Sequence, residues 1–244
     1  MNKQMTIKIS FFLLAFCSAF TSCNLDTEEK VISYLPTALV TVKPLADSFI
    51  LQLDDSTHLE PVNMTKSPFG DKEVRALVNY DIKEKKTGMQ KVHINWMDSI
   101  RTKMTVPSLG DKNNATYGND PIEIVNDWVT VAEAGYLTLR IRTRWGYAGK
   151  VHYLNLLTGA DPENPFDLEL RHNAQGDLNG NMGDALIAFN LYELMKQTSA
   201  DTTKFTLRWN SFSGPKKLEF DLKTYPIDSS CNYVEASEFA SSIK

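Results

Sequence analysis

Val74-Arg75-Ala76-Leu77-Val78-Asn79-Tyr80-Asp81-Ile82 is the stretch that decides the fold class. Val74, Ala76, Val78, Tyr80 and Ile82 occupy alternate positions, with Arg75, Asn79 and Asp81 among the residues between them. A period of two sends successive side chains to opposite faces of an extended chain, so one face is apolar and the other wet. A helix, with a period of 3.6, would scatter the same five side chains around its circumference. The stretch therefore reads as a half-buried strand.

The same signal recurs in both directions. Val92, Ile94 and Trp96 repeat it downstream, and Ser48-Phe49-Ile50-Leu51-Gln52-Leu53 is a strand run closed by the turn formers Asp54-Asp55. Leu137, Leu139 and Ile141 share one face, and Phe166, Leu168 and Leu170 share another opposite Asp167, Glu169 and Arg171. Ala185, Ile187, Phe189 and Leu191 predict a further strand. Phe205, Leu207 and Trp209 pair naturally with Leu218, Phe220 and Leu222 as a hairpin across Ser211 to Pro215. One short helix is expected, from Leu191 to Gln197, and there is no internal repeat. The chain is predicted to be all-β. Its polar break, Gly110 to Asp120, divides a β domain at 38–115 from a second at 116–228, ahead of a polar tail at 229–244. Short strands with frequent turns favour a sandwich or small barrel in each half. The pattern fits one continuous β unit as well as it fits two.

The N-terminus carries a different signal. Lys3 and Lys8 precede the apolar run Phe11-Phe12-Leu13-Leu14-Ala15-Phe16, and small residues lead to Cys23. The run is too short for a mature membrane span and has the length of a signal-peptide core. Ala19 to Cys23 resembles the lipobox of bacterial lipoproteins, with Phe20 where Leu is usual. The resemblance implies a signal peptide at 1–22, cleavage before Cys23 and a diacylglycerol on its thiol. Several acyl chains, at about 0.8 kcal/mol per buried methylene, give stable anchoring. The tether at 23–37 begins Asn24-Leu25-Asp26-Thr27-Glu28-Glu29, and its acidity resembles export signals of surface lipoproteins. Outer-membrane attachment, with exposure at the cell surface, is the expected location.

Cysteine and charge limit the alternatives. With Cys17 in the leader and Cys23 lipidated, Cys231 is the remaining thiol, so stability must come from the core rather than a disulfide. Removing residues 1–22 takes away Lys3 and Lys8 and no acid, leaving 24 basic against 30 acidic residues, a net of −6. That balance argues against nucleic acid, whose binding requires clustered cations facing phosphates.

A series of segments carries a family resemblance. In order, they are Asp54-Asp55-Ser56-Thr57-His58-Leu59-Glu60-Pro61-Val62; Val74 to Tyr80; Gly118-Asn119-Asp120-Pro121-Ile122; Gly135-Tyr136-Leu137; and Leu170-Arg171-His172-Asn173-Ala174-Gln175-Gly176-Asp177. Behind a lipoprotein signal, this series resembles the NigD-like lipoproteins from about residue 38 to about residue 225. The resemblance implies an N-terminal OB-type barrel, a C-terminal β-sandwich and a loose link to bacteriocin systems, but no established activity. Glu60 before Pro61 and a long Gly159–Pro165 loop depart from the family pattern.

The most distinctive polar segment is Leu170 to Asp177. His172 suits a general base with Asp177 as its orienting carboxylate. The architectural alternative, a strand end followed by the turn formers Asn173, Gly176 and Asp177, is preferred because no nucleophile stands in a recognisable frame. Arg171, His172, Asn173 and Asp177 remain candidate ligand contacts. So do Trp145 and Tyr147, which lie between two strands with Arg142 and Arg144 beside them; sandwich core plus rim is preferred for the aromatics. Asp177 to Asp184 begins like a calcium loop but has Met182 where Gly is required and Ala188 where Glu is required. The histidines form no zinc pattern, and neither metal nor cofactor is expected. Lys83 to Lys86, interrupted by Glu84, reads as a solvated turn. The expected function is a non-enzymatic envelope lipoprotein acting through protein or glycan contacts, with glycan binding or processing as the alternative.

Overall fold

The structure, a computed structural model, describes residues 35–146 and 149–223. The leader, Cys23, Tyr147, Cys231 and the 229–244 tail lie outside these residues. In chain order the strands are β1 (Ala38–Pro44), β2 (Phe49–Gln52), β3 (His58–Pro61), β4 (Val74–Lys86), β5 (Met89–Met104) and β6 (Val106–Pro107). A 3-10 turn (Gly110–Lys112) and α1 (Asn113–Tyr117) follow. Then come β7 (Glu123–Val125), β8 (Val131–Glu133), β9 (Tyr136–Trp145), β10 (Tyr153–Thr158), β11 (Asp167–Asn173), β12 (Asn181–Asn190), α2 (Tyr192–Met195), β13 (Thr202–Ser211) and β14 (Gly214–Lys223).

The first five strands close on themselves. β2 pairs with β1 and β3, β4 pairs with β1 and β5, and β3 lies parallel to β5 from His58↔Met89 to Pro61↔Val92. This closed barrel leaves no unpaired edge in its ring. Alternation explains its filling: Val40, Val42, Leu51, Leu59, Ala76, Val78, Val92 and Ile94 point inward and pack as one core. Each such side chain contributes about 2 kcal/mol by leaving water.

β4 departs from its simple pattern in two places. Register shifts fall between Asn79 and Tyr80 and between Ile82 and Glu84, and Ile82 is exposed. Bulges of this kind re-aim the side chains that follow. Lys83 to Lys86 are strand residues rather than a turn; the turn is Thr87-Gly88, with Gly88 at φ +76.

β5 runs on past the barrel. Its last residues, Arg101 to Met104, pair in parallel with Ile187 to Asn190 of β12. β12 pairs antiparallel with β9 along ten residues, and β7 and β8 add to the other side of β9. The facing sheet has the order β14-β13-β11-β10-β6. Leu137, Leu139, Ile141, Leu154, Leu156, Leu168, Leu170, Ile187, Phe189, Phe205 and Leu207 fill the space between the sheets. The hairpin β13–β14 turns at Phe212-Ser213, inside the expected span, and α2 lies within the expected helix. The C-terminal sheets thus draw on strand from residue 101 onward, earlier than the Gly110–Asp120 break. That stretch carries the 3-10 turn and α1.

The two β bodies meet around Arg75. Thr41 and Arg75 are register partners on the outer face of the barrel. Arg75 is fully buried there: its guanidinium donates to Thr41 Oγ1 (2.9 Å), Thr138 Oγ1 (3.3 Å) and Glu133 Oε1 (2.8 Å). Burial pulls its pKa down, while the hydrogen bond and charge of Glu133 pull it back up. Beside it, buried Glu73 accepts from Tyr136 Oη (2.7 Å) and Tyr192 Oη (3.0 Å). Leu39, Ile100 and Ala188 supply the apolar part of the contact.

Candidate functional site

The loops at the sandwich end away from β5 converge on a buried polar cluster. β9 ends at Trp145, β10 begins at Tyr153, β11 ends at Asn173 and β12 begins at Asn181, so all four open onto the same end. The β13–β14 turn joins them because β13 runs parallel to β11.

His152 and His172 lie at the centre, with exposures of 0% and 1%. Their rings stack at 5.0 Å between centroids, and His152 Nδ1 is 2.9 Å from His172 Nε2. The outer nitrogens face two oxygens. His172 Nδ1 is 3.3 Å from the Pro121 carbonyl, and His152 Nε2 is 3.3 Å from Asp177 Oδ2. His152 therefore stands between His172 and Asp177 in a three-member chain, in place of the direct His172–Asp177 pair that a general-base reading would need. Strand pairing brings His152 there: it directly precedes β10, where Tyr153↔Asn173 and Leu154↔His172 are opposite. Nothing in the sequence around His152 marks it as a partner of His172.

The charges around the cluster are specific. The Gly146 N–H donates to Asp177 Oδ2 (2.9 Å), and this bond leads in holding the Asp177 carboxyl below its usual range. Burial leads in pushing His172 down to about 4, with the neighbouring His152 adding to the effect. Asp120 and the Pro121 carbonyl oppose that shift. Asp120 also ties the loop before β7 to the end of β11: its N–H donates to His172 O (2.9 Å), and its Oδ2 accepts from Ala174 N–H (2.8 Å).

Close packing accounts for the glycines of Asp177 to Asp184, a loop that runs into the start of β12 at Asn181. A Cβ added at Gly180 would lie 2.0 Å from Trp145 O, and one at Gly183 would lie 2.5 Å from Trp145 Cδ1. The loop is thus clamped onto Trp145, whose ring lies 4.4 Å from that of His152. Its two carboxylates serve different partners. Asp177 faces Gly146 and His152, whereas Asp184 bridges Arg140 and Arg142 on the outer face of β9 and is lowered to about 2, Arg142 contributing first.

The remaining predicted contacts separate into two groups. Arg171 donates to Asn114 Oδ1 (2.6 Å), pairs with Glu169 (2.8 Å) and fastens α1 to β11. Asn173 Oδ1 accepts from Gln175 N–H (2.9 Å) as a turn former. Trp145 is half-buried, whereas Tyr153, Leu178, Met182 and Phe212 are exposed around the same end. Of the other C-terminal aromatics, Tyr136 is buried and Trp128 is exposed. Lys103 also eluded sequence reading. Its amine donates to Leu154 O (2.6 Å) and Asn155 Oδ1 (2.9 Å), and burial, then Arg101, lowers it to about 8. It caps the edge of β10 beyond the reach of β6.

A closed five-stranded barrel joined through one shared strand to a β-sandwich with a tied loop end defines a two-domain all-β protein of OB-plus-sandwich type. Comparison with known families agrees in both parts: the NigD-like N-terminal OB domain matches residues 39–100, and the NigD-like C-terminal β-sandwich domain matches residues 104–222. The chain belongs to the NigD-like family. A crystal structure of a Parabacteroides distasonis protein named as toxin-related is 30% identical, with a TM-score of 0.64, covering 77% of this chain and 92% of that one. A NigD-like immunity protein from Bacteroides caccae is 19% identical, with a TM-score of 0.55, covering 78% of this chain and 99% of that one. A Bacteroides fragilis protein named as a lipoprotein is 14% identical, with a TM-score of 0.56, covering 77% of this chain and 97% of that one. Among curated proteins, none matches.

Proposed function

We propose that this chain is a lipid-anchored binding protein of the outer membrane, exposed at the cell surface, that acts by protein contact at the loop end of its sandwich. One observation carries the reading. The residues with acid–base chemistry, His152 and His172, are sealed from solvent, while Tyr153, Leu178, Met182 and Phe212 stand exposed above them. A general base must come within hydrogen-bond reach of its substrate; these imidazoles reach only each other, Asp177 and a carbonyl. Exposed apolar side chains on loops held by a rigid scaffold are the usual make-up of a recognition surface. The lipoprotein signal ending at Cys23 supplies the anchor. Relatives named as toxin-related and as an immunity protein agree with a protein or peptide partner.

The test is capture from the organism's own envelope at neutral pH, comparing the wild-type chain with Leu178→Asp/Met182→Asp. The double variant is expected to keep its circular dichroism spectrum and lose the captured protein. Undiminished capture by a folded double variant would overturn the reading. A glycan-binding role has one observation in its favour: Trp128 is exposed beside Asp127, which pairs with Arg140 (2.8 Å), giving an aromatic platform next to arginines. A thermal shift on a glycan panel that disappears in Trp128→Ala would favour it.

A further inference from the structure

The hydrogen-bond pattern of the His152–His172 pair fixes how many protons it holds. A carbonyl only accepts, so His172 Nδ1 carries a hydrogen toward Pro121. One hydrogen lies between His152 Nδ1 and His172 Nε2, since one of these nitrogens must donate and the other accept. The Asp177 oxygen facing His152 already accepts from Gly146, and its carboxylate favours the ionised form, so His152 Nε2 carries a hydrogen as well. Four ring nitrogens therefore hold three hydrogens. The pair bears one positive charge, balanced by Asp177, in a cluster sealed from water.

Neither neighbouring proton count fits this geometry. With two hydrogens, one of the three contacts sets lone pair against lone pair. With four, two imidazolium rings stack at 5.0 Å with two N–H groups opposed at 2.9 Å. Burial makes either mismatch expensive. The surrounding charges do not relieve the second case. Asp177 is engaged with His152 and Gly146, Asp120 with Ala174, and the Lys150 amine donates to Gln175 O (3.0 Å). The indole of Trp145, packed on His152, is neutral. The same residues hold the loops together: Pro121 and Asp120 precede β7, Gly146 follows β9, His152 leads into β10, and Asp177 follows β11.

We propose that the His152–His172 pair is a proton-gated latch: with one shared charge it closes the loop end of the sandwich, and uptake of a second charge on acidification releases it. The partner class under this control rests on the contact reading above, but the latch itself does not. Acid would loosen segments 118–122 and 173–180 while the barrel stayed closed, so a partner bound at neutral pH would be released at low pH.

The experiment is hydrogen exchange of the full mature chain, with rates corrected for intrinsic exchange. Segments 118–122 and 173–180 are expected to open about tenfold more per pH unit between about pH 6 and about pH 4, with barrel segments 74–82 and 92–100 unchanged. Loop-end exchange that does not rise, or that rises only together with the barrel, overturns the latch. Imidazole nitrogen NMR at neutral pH gives an independent count: three protonated ring nitrogens support the latch, and two or four refute it. His172→Asn keeps a donor for Pro121 O and cannot take the second charge, so its loop-end exchange should lose the pH slope. If that variant does not fold, the wild-type exchange and nitrogen count still decide. Because none of these readouts involves a partner, failure of the latch is distinguishable from failure of the contact reading, which is tested at neutral pH with Leu178 and Met182.

Discussion

Removing Glu133 should cost more stability than removing Arg75, although the two form one ion pair. Arg75 is fully buried and, among the described residues, Glu133 Oε1 is its only carboxylate within bonding distance, at 2.8 Å; Thr41 and Thr138 offer only hydroxyl oxygens. Glu133→Ala leaves a guanidinium that cannot deprotonate and has lost its bonded carboxylate, while nearby Glu73 is held by Tyr136 and Tyr192. Stranding a buried charge costs about 3 to 5 kcal/mol. Arg75→Met fills similar space with an apolar chain. The Glu133 side chain, 25% exposed, then turns to water, and the two threonine hydroxyls can rotate to other acceptors. That change is expected to cost about 1 to 2 kcal/mol. The double variant should be no less stable than Arg75→Met alone, because the stranded charge is gone, giving a coupling of about 3 to 5 kcal/mol. Urea unfolding followed by tryptophan fluorescence measures all three differences. If Glu133→Ala proves milder than Arg75→Met, the buried-charge reasoning is refuted.

Other outcomes follow from the loop end and the leader. His172 is lowered to about 4 in the folded chain, against 6.5 as the ordinary value, so the unfolded chain binds more protons between these pH values. The contribution of His172 to stability is therefore full above about pH 6.5 and is lost, by about 3 kcal/mol, as pH drops through about 4; urea midpoints that stay level between these pH values would contradict it. Gly146→Ala puts a Cβ 2.1 Å from Asp177 Oδ1 and displaces the carboxylate from His152, for an expected loss of about 2 kcal/mol by the same unfolding assay. An unchanged midpoint would count against a tightly held Asp177. Cys23→Ala should abolish incorporation of labelled palmitate and shift the protein from membrane to soluble fractions, whereas continued labelling would locate the lipid elsewhere.

The strands were legible because their signal is local, whereas their closure into a barrel and a sandwich was implied only by the family resemblance. Val74 to Ile82, Leu137 to Ile141 and Phe205 to Trp209 show the period of two without knowledge of any partner strand. The hairpin turn at Phe212-Ser213 and the helix at Tyr192–Met195 were equally local. Arg75 was not legible, because it occupies the polar phase of β4, and only the sandwich packing on that face buries it. His152 stayed hidden for a related reason. Its partners, His172 and Asp177, are 20 and 25 residues away, and the antiparallel register of β10 with β11 unites them. Asp177 to Asp184 begins like a cation loop because oxygen-bearing residues alternate there, and Met182 and Ala188 break the pattern; the close approach of Gly180 and Gly183 to Trp145 is a three-dimensional fact.

β5 makes the two halves mechanically one piece. Sixteen residues long, it hydrogen-bonds to β3 and β4 at one end and to β12 at the other. A scissor cut between residues 100 and 104, where the two family domains part, would sever a continuous strand and strip β12 of its β5 partner, leaving a raw, sticky edge there. The halves should therefore resist separate expression, and the intact chain should melt in a single cooperative step.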